Sequence, residues 1–323
     1  MNRRDFLKDA GSIAACSAML DTMAFADGAE KSGEAPRGIR VRFLGSGASG
    51  WNPEWAITRP NMRRQSSVLL DGKVLIDFTA CSFDKLPEGC RPEVLFQTHS
   101  HGDHYNPLAA VRSGVKRMYV QETWAEAARR AVDAAAESLG LPAPKVLALP
   151  FGSPVEECGL RFTGVPANHS TSRITDGVLE RASLYLVEKG PTRLLYATDT
   201  GGIMGDAARM IGIDSHIRMS NYTRYASDRA YVAEPKAITA LIMEATDGDL
   251  DDDFRLFVHS SVQVVHRIVT MLKKTGRLKL PECQSVYLTH FGIKYRGWPS
   301  EKIDAELPDG LRAASDGLEV VLG

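Results

Sequence analysis

The chain has 323 residues, 44% of them hydrophobic and 24% charged, and carries a formal net charge of −1. Such a length admits one large domain or two small ones, and the composition is that of an ordinary globular protein. The near-neutral charge leaves no electrostatic footprint for a nucleic-acid partner, and no run of about 18 apolar residues is present to span a bilayer.

The first residues stand apart. Asn2-Arg3-Arg4-Asp5-Phe6-Leu7-Lys8 resembles the bacterial twin-arginine export signature, a weakly apolar stretch runs from Ala10 to Leu20, and Ala24-Phe25-Ala26 fits a small-residue cleavage site. Residues 1–26 are therefore expected to be a signal read by the twin-arginine export machinery, which places the mature protein in the periplasm or beyond. Cys16 sits in a sequence like a lipoprotein attachment box, but too early to leave a full apolar core before it, so anchoring at Cys16 is the weaker expectation. Residues 27–38 read as a disordered lead-in. No convincing linker interrupts residues 39–323, which are expected to form one domain.

Within that domain, Arg40-Val41-Arg42-Phe43-Leu44 reads as a strand running into the glycine-rich turn Gly45-Ser46-Gly47-Ala48-Ser49-Gly50. Arg63 and Arg64 precede the next strand and offer bidentate donors to a substrate phosphate, with surface charge as an equal alternative. Residues 67–70 and 74–77 flank Asp71-Gly72 and predict a hairpin. Cys81 and Cys90 stand close enough in sequence to pair in an oxidising compartment; spacing alone does not establish a bridge, and burial as small apolar side chains is the expectation.

The apolar run Val94-Leu95-Phe96 then delivers Thr98-His99-Ser100-His101-Gly102-Asp103-His104, which holds three of the chain's eight histidines. Imidazole and carboxylate are ligands for zinc, manganese or iron. In an extended segment alternate residues face one side, so His99 and His101 converge on one point. Asp103 and His104, past a glycine, reach a second point nearby. One motif can therefore seed two metal sites.

Farther on, residues 122–138 have helical spacing that Gly140 stops, and residues 184–187, 194–197, 238–243 and 286–289 read as strands. Residues 262–274 predict a helix capped by Ser260 or Ser261. Residues 213–236 break this rhythm, with Tyr222, Tyr225 and Tyr231 among arginines and serines; they read as a solvated insertion or as a lid over the active site. Three more polar residues stand where predicted strands end: His169, Asp199 and His290.

The order His-x-His-x-Asp-His, then His, Asp and His, resembles the metallo-β-lactamase-fold hydrolases, over a span from Phe43-Leu44-Gly45-Ser46-Gly47 to the C-terminus. The resemblance implies an α/β (α+β) fold of the metallo-β-lactamase type: an αββα sandwich in which two mixed β-sheets pack face to face with helices outside. It implies that His99, His101 and His169 hold one metal, that Asp103, His104 and His290 hold another, and that Asp199 bridges them. The cofactor is then two divalent ions, Zn2+ by expectation and Mn2+ or Fe2+ as alternatives. Two such ions about 3.5–4 Å apart turn a bridging water into hydroxide and clamp the developing oxyanion. Asp103 is counted among the catalytic residues as well as the ligands. A bridging carboxylate rather than a cysteine makes a hard site suited to phosphate oxygens.

One branch fits best. Asn168-His169-Ser170, Ala197-Thr198-Asp199-Thr200-Gly201, Leu307-Pro308-Asp309-Gly310 and Ser315-Asp316-Gly317-Leu318-Glu319-Val320 resemble the PhnP-type phosphodiesterases, which hydrolyse cyclic ribose phosphates. His259 matches a histidine that faces the substrate phosphate in that branch, where it stabilises the transferring group or protonates the leaving oxygen. Two departures leave the substrate open: Trp51-Asn52-Pro53-Glu54-Trp55 stands where such proteins carry a cysteine-rich zinc site, and residues 213–236 are longer than the branch needs.

The expected function is hydrolysis of a small phosphodiester, cyclic ones included. The alternative is a lactonase or thioesterase acting on a carboxylic ester bond at the same metals. A tRNA-processing nuclease resembles Glu244-Ala245-Thr246 but carries histidine where Met243 stands. A non-catalytic metal-dependent binding protein is the reading from another class. The oligomeric state is left open, a homodimer included.

Overall fold

In the computed structural model, which describes residues 38–175, 177–214, 235–248 and 258–323, the apolar runs become strands packed on both faces. The expected export signal, all but the last residue of the lead-in and most of the 213–236 segment lie outside the described residues. The described strands form two seven-stranded sheets. The first runs β14 (Glu319–Leu322), β1 (Ile39–Gly45), β2 (Ser67–Leu70), β3 (Val74–Ile76), β4 (Val94–Phe96), β5 (Arg117–Gln121), β6 (Lys145–Leu149). The second runs β13 (Leu311–Ala313), β12 (Val286–Thr289), β11 (Ala240–Glu244), β10 (Thr192–Ala197), β9 (Val178–Lys189), β8 (Leu160–Thr175), β7 (Pro154–Glu157). Each is mixed: β3 to β6 and β10 to β13 are parallel, and the remaining pairs are antiparallel.

Alternation of side chains builds three apolar layers from these two sheets. Val94 and Phe96 enter the core between the sheets with Leu194, Tyr196 and Phe162, and the ring of Phe96 stacks 3.9 Å from that of Phe162. Leu95 faces the other way, toward α2 (Pro107–Arg112) and α3 (Ala125–Leu139) through Val111, Ala128 and Val132. Leu195 and Ala197 likewise face outward, toward Val265 and Val269 of α5 (Val262–Lys274). Among the described residues three more short helices are α1 (Pro53–Thr58), α4 (Gly205–Met210) and α6 (Ser300–Asp304). The arrangement is the expected αββα sandwich.

Local signals act where the sequence places them. Asp71 and Gly72 both take positive φ, 46° and 72°, and Lys73 N donates to Leu70 O at 3.0 Å to close the turn. Gly140 ends α3 in the left-handed region. The Ser261 hydroxyl accepts from Val264 N at 3.2 Å and caps α5. Cys81 and Cys90 are free thiols, Cys81 buried. The long β8–β9 hairpin departs from expectation, since only residues 184–187 of it read as strand. β8 contains Gly164, Pro166 and several polar residues, and its register shifts twice against β9, so no period of two survives in the sequence. Among the described residues no helix is long and apolar enough to cross a membrane.

Candidate metal centre

The parallel strands β4, β10, β11 and β12 all point their C-terminal ends to the same edge of the sandwich, where the loops that follow them meet. The loop after β4 carries His99, His101, Asp103 and His104; Asp199 follows β10, Glu244 ends β11, and His290 follows β12. His169 comes from within β8, and His259 stands just ahead of α5. Asp199 and His290 have φ of 47° and 54°, a left-handed backbone that non-glycine residues rarely adopt and that surrounding contacts must impose.

The fold brings the seven sequence-derived ligands together in two adjoining groups. In the first, His99 Nε2 lies 3.0 Å from His101 Nδ1, and His169 Nε2 lies 3.3 Å from the same atom. In the second, His104 Nε2 lies 3.0 Å from His290 Nε2, and Asp103 Oδ2 lies 3.4 Å from His290 Nε2. Asp199 joins them: its Oδ2 is 3.0 Å from His99 Nε2 and 2.9 Å from His104 Nε2. His99, His104, Asp199 and His290 are buried, whereas His101, His169 and His259 are half-buried, so the centre opens on their side.

Orienting contacts decide which nitrogen faces inward. The Thr98 hydroxyl donates to Asp77 Oδ2 at 2.7 Å, so it accepts from His99 Nδ1 at 3.0 Å and leaves His99 Nε2 with a lone pair. His104 Nδ1 donates to Asp77 Oδ2 at 2.6 Å, and His169 Nδ1 donates to the carbonyl of Val258 at 3.2 Å. His290 Nδ1 lies 2.7 Å from the Thr246 hydroxyl. This is how metal-bound imidazoles are usually held.

These side chains fit a pair of cations. Facing nitrogens at 3.0–3.3 Å match a ligand tetrahedron, whose edge is about 3.3 Å when metal–nitrogen distances are about 2.0–2.1 Å. Asp199 is 2% exposed, and its Oδ1, although 3.0 Å from His290 Nδ1, accepts no hydrogen bond. Burial drives the His99 pKa down to about 3, with His104 acting in the same direction. Burial also opposes charge on His104, yet Asp199, Asp103 and Asp77 together hold its imidazole well above the ordinary range. The cluster calls for positive charge at its middle.

Two further acids belong to the site. Asp77 is fully buried and accepts from Thr98 N and Gln97 Nε2, each at 2.7 Å, besides His104. Glu244, also fully buried, accepts from the backbone of Thr200, from the Thr246 hydroxyl and from His259 Nδ1 at 3.0 Å. Each ends an apolar run, Val74-Leu75-Ile76 and Leu241-Ile242-Met243, the same signature that marks Asp199 in the sequence.

Arg63 and Arg64 stand apart from the cluster. Arg63 donates to Ser46, to the Ala314 carbonyl and to Ser300, and Arg64 is bound to Asp84 and Asp316. Neither is in contact with the cluster. Their partners lie up to 252 residues away in sequence, which no local reading can supply.

A model of the β-lactamase superfamily domain matches residues 83–250, just over half of the chain. The chain belongs to that superfamily. The matched residues include every candidate ligand except His290, and they also contain Glu244. Members of the superfamily are mostly metal-dependent hydrolases, and the metallo-β-lactamase fold holds dinuclear metal sites. Among solved structures, a diphosphatase of the PhnP family is 20% identical with a TM-score of 0.55, Zn2+-bound PqqB from Methylobacterium extorquens is 17% identical with 0.60, and the metallo-β-lactamase fold protein YhfI from Bacillus subtilis is 13% identical with 0.53. Each alignment covers 88% of this chain and all of the other, and at these identities the likeness concerns the fold. No curated protein matches the sequence.

Proposed function

We propose that this chain is a two-metal phosphodiesterase acting on a small phosphodiester, with Zn2+ as the resident ion. The observation that carries the reading is the placement of His259. Its ring centroid lies 5.0 Å from that of His169 and 5.9 Å from that of His290, so one imidazole stands beside a ligand from each half of the centre.

Burial works to lower the His259 pKa, but the neighbouring Glu244 carboxylate outweighs it and raises the group to about 9. Glu244 thus favours the protonated ring, with Nδ1–H donated to Glu244 and a second N–H left for substrate. That proton suits either role expected of it: hydrogen-bonding a phosphoryl oxygen, or transfer to the leaving oxygen. Glu244 is held by Thr200 and Thr246 and fixes the direction in which the ring points. Divalent ions seated on the seven ligands would supply Lewis-acid polarisation and positive charge against the phosphate oxygens. A donor set of nitrogen and oxygen with a shared carboxylate suits that hard substrate. The PhnP-family neighbour, a diphosphatase, is an instance of phosphate chemistry on this fold.

The test is hydrolysis of bis-p-nitrophenyl phosphate by metal-loaded protein, beside a panel of lactones and thioesters. Diesterase activity is expected, and His259→Ala should lower kcat by about 10²–10⁴-fold with unchanged metal content. Lactone or thioester turnover without diesterase activity would replace this reading with the carboxylic-ester one.

A further inference from the structure

Beside Phe291, the residue after His290, lies a cavity of about 500 Å3 that shares no lining side chain with the His–Asp cluster. Arg59, Arg63, Arg64 and Lys85 line it, against Glu301 and Asp316. Two of these charges are already matched. Asp316 accepts from Ser46 Oγ at 2.7 Å and from Arg64 N at 2.6 Å, and Arg64 gives its Nε and a terminal nitrogen to Asp84.

Arg63 is different. It is 4% exposed, yet its hydrogen bonds go only to neutral acceptors, the Ser46 and Ser300 hydroxyls and the Ala314 carbonyl. Its Nε has no partner, and among the described residues it forms no ion pair. Its guanidinium lies 4.6 Å over the Phe291 ring, a contact that lowers the cost of burial without supplying a counter-charge. Buried cations are normally paired, because removing one from water is costly. Burial pulls the Arg63 pKa down to about 10, against the more distant attraction of Asp316, Asp304 and Glu301. Arg59 and Lys85 place two more cations on the same wall, and of the two acids that line it Asp316 is already engaged by Arg64, which leaves Glu301. The volume is in the range of pockets for small organic ligands rather than for a bare ion.

We propose that this cavity is a second ligand site, and that it takes a small organic anion whose carboxylate or phosphate group supplies the counter-charge that Arg63, Arg59 and Lys85 lack. The body of the ligand lies along Trp298 and Pro299, which also line the cavity.

Calorimetric titration with inorganic phosphate and with malonate tests the site in metal-loaded protein, in His169→Ala and in Arg59→Ala/Lys85→Ala. The double variant carries the test because Arg59 is exposed and Lys85 half-buried, whereas replacing buried Arg63 endangers the loop itself. Binding of at least one anion is expected to persist in His169→Ala and to weaken by about tenfold or more in the double variant, as for lost charge-assisted contacts. The anion retained in His169→Ala distinguishes a phosphate from a carboxylate ligand. The proposal is overturned if all anion binding is lost with His169→Ala, or if the double variant binds both anions as the natural chain does.

Discussion

His99, His104, His169 and His290 face the centre because a neighbour outside the ligand set holds each ring, and Asp77 supports more of these contacts than any other residue. It accepts directly from His104 Nδ1 and, through the Thr98 hydroxyl, sets the tautomer of His99, so one carboxylate orients a ligand in each group. Asp77→Asn removes the charge and one acceptor oxygen while keeping the volume. Metal affinity is expected to fall by about 10–100-fold, as for other orienting carboxylates. Titration of metal-loaded protein with a competing chelator measures this, and an unchanged affinity would show that Asp77 does not orient the ligands. Asp77 and Glu244 carried the same sequence signal as Asp199, an acid at the end of an apolar strand. The sequence alone does not separate an acid that touches metal from one that holds a ligand, because the difference is a few ångströms across strands far apart in the chain. The surroundings of Arg63 and Arg64 were not legible for the same reason: Ala314, Ser300 and Asp316 reach them only through the fold.

Among the elements, two loops that meet edge to edge set the position of His290. A Cβ built on Gly292 would lie 2.2 Å from the carbonyl oxygen of Thr246, the residue whose hydroxyl holds His290. Backbone on both sides leaves nothing flexible to give way. Gly292→Ala is therefore expected to cost about 1–3 kcal/mol, as overpacking does, and to reduce metal content, since it separates the loop after β11 from the loop after β12. The contrast is Gly102, inside the ligand motif itself, where a Cβ meets nothing within 4 Å. Gly102→Ala should stay within about 0.5 kcal/mol. Denaturant unfolding of both variants checks the pair, and equal costs would refute the argument. Elements with local chemistry were legible: the Asp71-Gly72 turn, the stop at Gly140 and the cap of α5 at Ser261. β8 was not, since its two register shifts and its polar stretch around His169 erase the alternation that announces a strand.

At the scale of the whole molecule, the αββα sandwich was legible through the ligand motif rather than through strand patterning, because buried parallel strands look alike in either sheet. The same motif ties the two halves together. His99, His101, Asp103 and His104 follow a strand of the first sheet, whereas His169, Asp199 and His290 belong to the second. Ions held jointly by these residues bind only when the sheets are packed, so they stabilise the folded chain by linkage, each by about 4 kcal/mol when free metal is about a thousandfold above its dissociation constant. Chelation should therefore lower the unfolding midpoint of the natural chain, and restoring Zn2+ should return it. His290→Ala removes a second-sheet ligand and so should lose most of that response, whereas His259→Ala, outside the seven assigned ligands, should keep it. A natural chain whose unfolding is indifferent to chelator, with metal shown to be absent afterwards, would mean that apolar packing between the sheets suffices and that the centre is held by the fold without holding it in return.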